Sequence, residues 1–307
     1  MMLRDPERWD YSAIVDRPPL TLPGGAKLAV WVVSNHEFYE FNPPLRDVRK
    51  PWPRVQPDTL SYGYRDYGNR VGIWRVMELL DRYEIRASIS LNVAVCDHHP
   101  EITEASLERG WEFYSHGIYN TRYLFGMPEA EERQVIEDSI ATIEKATGSP
   151  PVGWLSPALT NTERTLDLLA EYGFTYTCDL FHDDQPFPVK VKSGRLASIP
   201  YTLDLNDVIV YNSFLYTGRH YGEMIRDQFD VLYEEATRTG SGRVMCVSLH
   251  PYLVGQPNKL APLDDALAHI RGHDDVWFAT GQEIADWYLE HDYDDVVASL
   301  VRPEASA

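Results

Sequence analysis

Apolar residues recur along the chain at alternating helix and strand spacings. Residues 27–33 form a nearly continuous apolar run after the turn Pro23-Gly24-Gly25, which is typical of a strand buried on both faces. Apolar positions then follow helical spacing from Ile73 to Tyr83 and alternate like a strand over residues 87–91. Further strands are predicted at 111–114, 151–155, 174–178, 243–249 and 276–279. These about seven strand–helix units favour an α/β fold with a closed barrel over an open sheet.

The chain is predicted to hold one domain. Neither an internal repeat nor a Gly/Ser-rich linker divides its middle, so we assign residues 27–292 to the barrel, 1–26 to an N-terminal tail and 293–307 to a C-terminal tail. The Pro-, Arg- and Tyr-rich stretch 38–69 is interpreted as a long irregular loop. Loops of this length are usually functional or oligomer contacts, and this one is expected to rim the site.

Composition excludes several classes of partner. There are 47 acidic and 28 basic side chains, and the formal charge of −19 repels nucleic-acid phosphates and anionic lipids. The sequence lacks a stretch of about 18 apolar residues, and residues 1–20 lack a signal-peptide core. The three cysteines match neither a disulfide framework nor a zinc knuckle. We therefore expect a cytoplasmic protein with a small-molecule substrate and no nucleic-acid or membrane partner.

Polar side chains end three of the predicted strands. In a barrel of parallel strands the carboxyl ends of the strands surround the active site. Strand alternation places Asn35 and Glu37 on one face and His36 on the other, so the first two form a candidate water-orienting and general-base pair. His116 is a candidate acid, base or metal ligand, and His250 is placed to protonate a leaving nitrogen. The alternative is that both histidines only bond a neighbouring loop and that Glu37 is a solvated edge residue.

A series of short motifs runs in order along nearly the whole chain. They are NHE (35–37), YGNRVG (67–72), SHG (115–117), GWLSP (153–157), YTCD (176–179) with Asp183-Asp184, IPYTLDLND (199–207) and LHP (249–251). Each string alone is weak evidence, but the ordered set resembles the polysaccharide deacetylase superfamily. Within it, the chain is most similar to the branch of metal-independent allantoinases and cyclic-imide hydrolases.

The resemblance implies a fold and an activity. The fold would be a deformed (β/α)7-type barrel, NodB-like, in a single domain. The activity would be hydrolysis of a carbon–nitrogen bond other than a peptide bond, by opening the ring of a small cyclic amide such as allantoin, a hydantoin or a cyclic imide. A homotetramer is expected in that branch. The residues expected to bind substrate are Asn35, Arg70, Asn120, Trp154, Asp179 and Asp183.

The metal site of typical superfamily members is incomplete here. Those members hold a divalent ion with an aspartate and two histidines four residues apart. His116 matches the first histidine, but Asn120 stands at the second position and Glu37 is the sole carboxylate of the first motif. Zinc prefers several nitrogen or carboxylate ligands. No cofactor is therefore expected; a weakly bound zinc would use Glu37 and His116, completed by Asp66, Asp179 or Asp183.

Hydrolysis without a metal needs a base, an oxyanion donor and an acid. We assign Glu37 as the base, Asn35 or Arg70 as the oxyanion donor and His250 as the acid, with His116 orienting water or substrate. The planar guanidinium of Arg70 suits a pair of carbonyl groups.

Other interpretations remain open at this stage. Arg70 could instead form an ion pair with Asp66 or Asp81, and Trp154 could be a core residue rather than one wall of a ring-binding pocket. A metal-dependent deacetylase of N-acetyl sugars is the second hypothesis for the function. The third is a catalytically silent member that binds a metabolite or protein through the 38–69 loop.

Overall fold

A curled sheet forms the centre of the protein. The computed structural model describes residues 7–43 and 57–300, and within these ranges the sheet has nine strands. The strands are β1 Leu28–His36, β2 Ser88–Leu91, β3 Glu112–Ser115, β4 Gly153–Trp154, β5 Tyr176–Thr177, β6 Phe187–Val189, β7 Leu196–Ser198, β8 Arg243–Leu249 and β9 Val276–Phe278.

Helices connect the strands and cover the sheet. They are α1 Thr59–Tyr67, α2 Ile73–Arg82, α3 Ala94–His98, α4 Pro100–Glu108, α5 Glu129–Thr147, α6 Thr165–Glu171, α7 Asp207–Asn212, α8 Gly218–Thr239, α9 Pro251–Val254, α10 Pro257–Arg271, α11 Gly281–His291 and α12 Tyr293–Leu300. A π-helical turn, Gly68–Gly72, joins α1 to α2. Helix α5 has residues typical of helix ends: three acids lie in its first turn, and Gly148, whose φ is 85°, follows its last residue.

The strand order is β6-β7-β5-β4-β3-β2-β1-β8, and β9 pairs with the first residues of β1. All neighbours are parallel except β6 and β7. The sheet curls so that the segment after β7 reaches β8 through the bridge between Asn206 and Ser248. This arrangement confirms the predicted deformed barrel, although the antiparallel β6–β7 hairpin was not predicted.

Alternation along β1 divides the core into two layers. Leu28, Val30 and Val32 pack outward against apolar residues of α2, α8 and α10. Trp31 and its odd-numbered neighbours pack inward with aromatic residues from β3 and β5. Each such side chain contributes about 1.5–3 kcal/mol by leaving water. The same alternation carries Asn35 and Glu37 toward the inner side of the barrel.

The predicted irregular loop over residues 38–69 is partly wrong. Its second half forms α1, whose start is capped by Asp58, with the carboxylate accepting the backbone amide of Ser61 at 3.1 Å. Residues 44–56 of this stretch lie outside the described ranges. Helix α1 packs against α9, the short helix that follows His250.

Both predicted tails contain packed residues where they are described. Trp9 packs near His182, and Leu20 and Leu22 are buried in the inner layer. Helix α12 lies within residues 293–307. Across residues 7–43 and 57–300, every helix is too short or too polar to cross a bilayer.

Candidate active site

Three ionisable side chains meet at the carboxyl ends of β1, β3 and β8. Oε1 of Glu37 lies 3.7 Å from Nε2 of His116 and 3.4 Å from Nε2 of His250. The three residues are only 8%, 3% and 6% exposed, respectively. The structure thus brings together the three polar side chains that were predicted at strand ends, although Glu37 and His250 are 213 positions apart in the sequence.

The loop after β3 fixes the orientation of His116. Gly117 has φ +68°, and a Cβ atom there would come within 2.5 Å of the Pro157 ring, so glycine lets the two loops touch. The Nδ1–H of His116 donates to the carbonyl of Leu155 at 2.8 Å. This bond assigns the proton of a neutral ring to Nδ1, which leaves the lone pair of Nε2 facing Glu37.

Asp207 at the start of α7 holds His250 in place. One carboxylate oxygen lies 2.7 Å from Nδ1 of His250, and the other accepts the backbone amide of His250 at 2.8 Å. Asp207 is fully buried. Sequence reasoning did not assign it a role, although it is the last residue of the 199–207 motif.

The buried cluster carries alternating charge. Burial favours a neutral Glu37, but the His250 imidazolium and the other bonds to the carboxylate outweigh burial and hold its pKa at about 2. Burial also favours a neutral His250, but the Glu37 and Asp207 carboxylates raise its pKa to about 10. Burial lowers the pKa of His116 below its usual 6.5, despite the nearby Glu37. At neutral pH the cluster therefore contains an ionised Glu37, a protonated His250 and a neutral His116.

Tyr39 and Arg65 extend the site beyond the predicted residues. The Tyr39 hydroxyl donates to Oε2 of Glu37 at 2.7 Å and accepts a hydrogen bond from the side-chain amide of Asn120. The Arg65 guanidinium lies over the Tyr39 ring, with its carbon 4.1 Å from the ring centroid, and near the Tyr252 ring. Arg65 stands only two residues before the YGNRVG motif, but its inward face depends on α1, which was not predicted.

A cavity of about 260 Å³ adjoins this cluster. Its walls include the aromatic rings of Tyr39 and Tyr252, the guanidinium of Arg65 and the primary amide of Asn120. A second space of about 10 Å³ touches Glu37, Tyr39 and Arg65, which is near the smallest cavity volume that can hold one water molecule. The site therefore offers a small polar compartment beside a charged pair.

The two predicted oxyanion donors are wrong. Arg70 forms an ion pair with Asp66, and its side chain is 71% exposed. The side-chain amide of Asn35 donates to Oγ of Ser248 at 3.0 Å and to the Leu249 carbonyl at 3.1 Å, so both of its hydrogens tie β1 to β8. Arg65, rather than Arg70, lines the cavity beside the cluster.

Trp154 is a core residue rather than a wall of the site. It is fully buried, its ring lies edge-on to Phe174 with centroids 5.6 Å apart, and its Nε1–H donates to Oγ of Ser156 at 3.0 Å. The prediction of a substrate contact at Trp154 is wrong because β4 points this side chain into the layer beneath α6.

Asp179 and Asp183 also bind protein groups. Asp179 accepts the backbone amide and the hydroxyl of Ser156, both at 2.7 Å, and burial raises its pKa to about 6. Asp183 pairs with Arg17 at 2.7 Å. The neighbouring Asp184 carbonyl bonds the amide of Val244, near the amino end of β8. At about 3.3 Å per strand residue, this contact lies roughly 20 Å from the end of β8 where His250 stands.

The donor groups of the site do not fit a tightly held metal ion. Among the described residues, the ligand atoms of Glu37, His116 and His250 do not gather within 4.8 Å of one another. His250 is kept protonated by Glu37 and Asp207, and the Asn120 amide bonds Tyr39. The three aspartates considered as further ligands are engaged elsewhere: Asp66 with Arg70, Asp179 with Ser156 and Asp183 with Arg17. Zinc prefers several deprotonated ligands at short distance.

Comparison with known proteins gives consistent matches. A family profile described as Polysaccharide deacetylase matches residues 60–177. A putative polysaccharide deacetylase of Schizosaccharomyces pombe is 30% identical over 88% of this chain and 93% of that protein. A peptidoglycan deacetylase of Helicobacter pylori is 27% identical over 76% of this chain and 88% of that protein.

Solved structures extend the likeness to the whole fold. A PuuE allantoinase structure superposes with a TM-score of 0.81 at 28% identity, covering 92% of this chain and 99% of that one. A probable polysaccharide deacetylase from Pseudomonas aeruginosa PAO1 gives 0.78 at 28% identity, covering 90% and 96%. These matches confirm the predicted carbon–nitrogen hydrolase class, and the chain belongs to the polysaccharide deacetylase family.

Proposed function

We propose that this hydrolase opens the ring of a small cyclic amide. The observation that carries the proposal is the buried chain of side-chain contacts from Asp207 through His250 to Glu37. A neutral His116 lies beside Glu37, and a cavity of about 260 Å³ adjoins the cluster. It provides a proton donor, a proton acceptor and a small compartment without needing an ion.

The attack begins with a water molecule held by Oε1 of Glu37 and Nε2 of His116. Water oxygen bonds to the ring carbonyl carbon, and its proton passes to this acceptor pair. When the carbon–nitrogen bond breaks, the protonated His250 gives its proton to the leaving nitrogen. The product is an open chain with one new carboxyl group and one new N–H, and the proton taken from water restores His250.

Two polar atoms suit recognition of an amide in a ring. Within the described residues, Nε of Arg65 and Oδ1 of Asn120 are buried and have no hydrogen-bond partner. Both residues line the cavity, and a small rotation of each side chain would turn this donor and this acceptor toward a ligand bound there. A cis amide in a ring presents a carbonyl acceptor next to an N–H donor, which complements this pair, and leaving either atom unpaired costs about 1–3 kcal/mol.

The relatives' names favour a second candidate function. The Helicobacter pylori relative is named a peptidoglycan deacetylase, so removal of an acetyl group from an N-acetyl sugar is the alternative reaction. The same acceptor pair and acid would serve an acetamide. The small cavity and the misfit of the metal ligand set favour the cyclic amide.

The test is turnover of a substrate panel. Hydantoin, allantoin, succinimide and N-acetylglucosamine oligomers would each be assayed after exhaustive chelation and again with added zinc. Glu37→Gln serves as the inactive variant and exposed Arg70→Ala as its control. We expect a ring amide to be hydrolysed after chelation by wild type and Arg70→Ala. Sugar deacetylation that requires zinc would support the second candidate, and a flat panel would favour a binding protein. The homotetramer and the cytoplasmic location remain predictions.

A further inference from the structure

A second cluster of metal-ligating side chains lies on the outer helices, away from the proposed active site. Asp230 of α8, His269 of α10 and His273 just after α10 each place a ligand atom within 4.8 Å of the other two. Nε2 of His269 lies 2.6 Å from Oδ1 of Asp230. The two histidine rings are 4.9 Å apart between centroids. Among the described residues this is the one group of its kind.

The sequence spacing explains the convergence. His269 and His273 are four residues apart, so they lie one above the other on one face of the helix end. That face packs against α8. The ring of Phe229 contacts both histidines, with centroids 5.7 Å from His269 and 4.8 Å from His273, and therefore limits how far either ring can turn.

The backbone fixes the ring nitrogen that would bind an ion. The Nδ1–H of His273 donates to the carbonyl of His269 at 2.9 Å. In metal-binding histidines such a bond from one nitrogen holds the ring and leaves the lone pair of the other for the metal. His269 already points Nε2 at a carboxylate oxygen. The three groups thus supply two imidazole nitrogens and one carboxylate.

The helices that carry the ligands are held tightly together. A Cβ atom at Gly222 of α8 would lie 2.5 Å from the carbonyl oxygen of Pro262 in α10, so the two backbones touch about two turns before the cluster. A tetrahedral site needs ligand atoms about 3.3 Å apart, given metal–nitrogen distances near 2.0 Å. Rotation of the Asp230 side chain, which is 55% exposed, supplies the remaining approach.

We propose that Asp230, His269 and His273 bind a divalent transition-metal ion such as Zn²⁺, which links α8 to α10. Two imidazoles and one carboxylate suit Zn²⁺, Ni²⁺ or Cu²⁺ and are poor ligands for Mg²⁺ or Ca²⁺. The fourth position faces solvent. The ion would stabilise the outer helical layer and takes no part in the hydrolysis proposed above.

The experiment is calorimetric titration of the chelator-treated full chain with Zn²⁺, followed by thermal unfolding with and without the ion. The variants His273→Ala and Asp230→Asn remove ligands. Asp227→Asn removes a charge one turn earlier on α8. His291→Ala removes an exposed histidine that also bonds the carbonyl four residues back, at 2.9 Å. Circular dichroism in chelator checks that each variant folds.

We expect one ion per chain, a higher unfolding temperature with Zn²⁺, and at least tenfold weaker binding in both ligand variants. The two control variants should bind as the wild type does. Unchanged affinity in His273→Ala and Asp230→Asn overturns the proposal, as does the absence of a binding isotherm. Binding that is lost in His116→Ala and kept in His273→Ala places the ion at the active site and also overturns it.

Discussion

Asp207 holds His250 at two points, with one oxygen 2.7 Å from the ring nitrogen Nδ1 and the other 2.8 Å from the backbone nitrogen. The ring therefore cannot rotate without breaking a buried charged bond. Its other nitrogen stays directed at Glu37, 3.4 Å away. Asp207 thus fixes the position of the proposed acid and, together with Glu37, keeps it protonated.

Replacement of Asp207 with Asn is expected to lower kcat by about 10²- to 10³-fold, within the range for loss of an acid catalyst. The neutral amide removes one of the two charges that keep His250 protonated. The alkaline limb of the rate profile should therefore move below pH 10, where the wild-type pKa of His250 lies. Steady-state kinetics across pH measure both effects. Asp204→Asn, an exposed change on the same segment, should leave kcat and the limb in place.

The wild-type pH profile of kcat/KM should be bell-shaped. Above a pH of about 10, His250 loses the proton that it must donate. The acid limb should lie below pH 6.5, because His116 must stay neutral to accept a proton and its pKa is lowered. A profile that stays flat down to the Glu37 pKa of about 2, in folded protein, would assign proton acceptance to Glu37 alone.

Arg65 and Arg70 should respond differently to substitution. Arg65→Lys keeps the charge but loses the flat group that covers the Tyr39 ring and its unpartnered Nε, so KM should rise about 10-fold, equivalent to roughly 1.4 kcal/mol of binding. Arg70→Ala should change KM by less than about twofold, since exposed ion pairs contribute little. Equal effects of the two substitutions would contradict the assignment of Arg65 to the cavity.

Gly72 is expected to be essential because of its contact with the strand end that carries His250. A Cβ atom there would lie 2.0 Å from the Pro251 carbonyl. Gly72→Ala should therefore reduce the free energy of unfolding by about 1–3 kcal/mol and lower kcat, through displacement of His250. Gly63→Ala in α1 meets nothing within 4 Å and should be neutral or stabilising. Chemical denaturation and kinetics on both variants give the comparison.

His36 should make the protein less stable in mild acid. Burial lowers its pKa from 6.5 to about 3, so between these values the unfolded chain binds a proton that the folded chain excludes. Stability is unaffected above pH 6.5 and falls as the pH drops below it. From pH 7 to pH 5, wild type should lose about 2 kcal/mol more than His36→Phe, as measured by urea unfolding. His291→Phe, at an exposed helix end, should behave as wild type does.

Local sequence signals located the described strands other than β6 and β7, together with the three clustered side chains. Each of Glu37, His116 and His250 follows an apolar run, and the barrel geometry brings such positions together. Their catalytic roles stay predictions until the assays above are done. The β6–β7 hairpin was not predicted because its strands have three residues each and one of them contains Pro188.

Contacts between residues far apart in the sequence could not be predicted from local sequence signals. Asp207 meets His250 across 43 residues, so its neighbours in sequence do not reveal the contact. The choice between Arg65 and Arg70 depends on where α1 begins and which face it turns inward. The family resemblance predicted Arg70 as the arginine of the site, whereas the packing of Arg65 over the Tyr39 ring places Arg65 there.

The pairing of β1 with β8 places the two halves of the reactive pair on neighbouring strands, and Asn35 bonds Ser248 across 213 residues of chain. During ribosomal synthesis Glu37 emerges early, but its partner follows only after more than two hundred further residues. Contacts of such long sequence separation form slowly. On the proposed mechanism, a growing polypeptide therefore has no hydrolytic power until β8 has joined β1, and activity can report that this step of folding is complete.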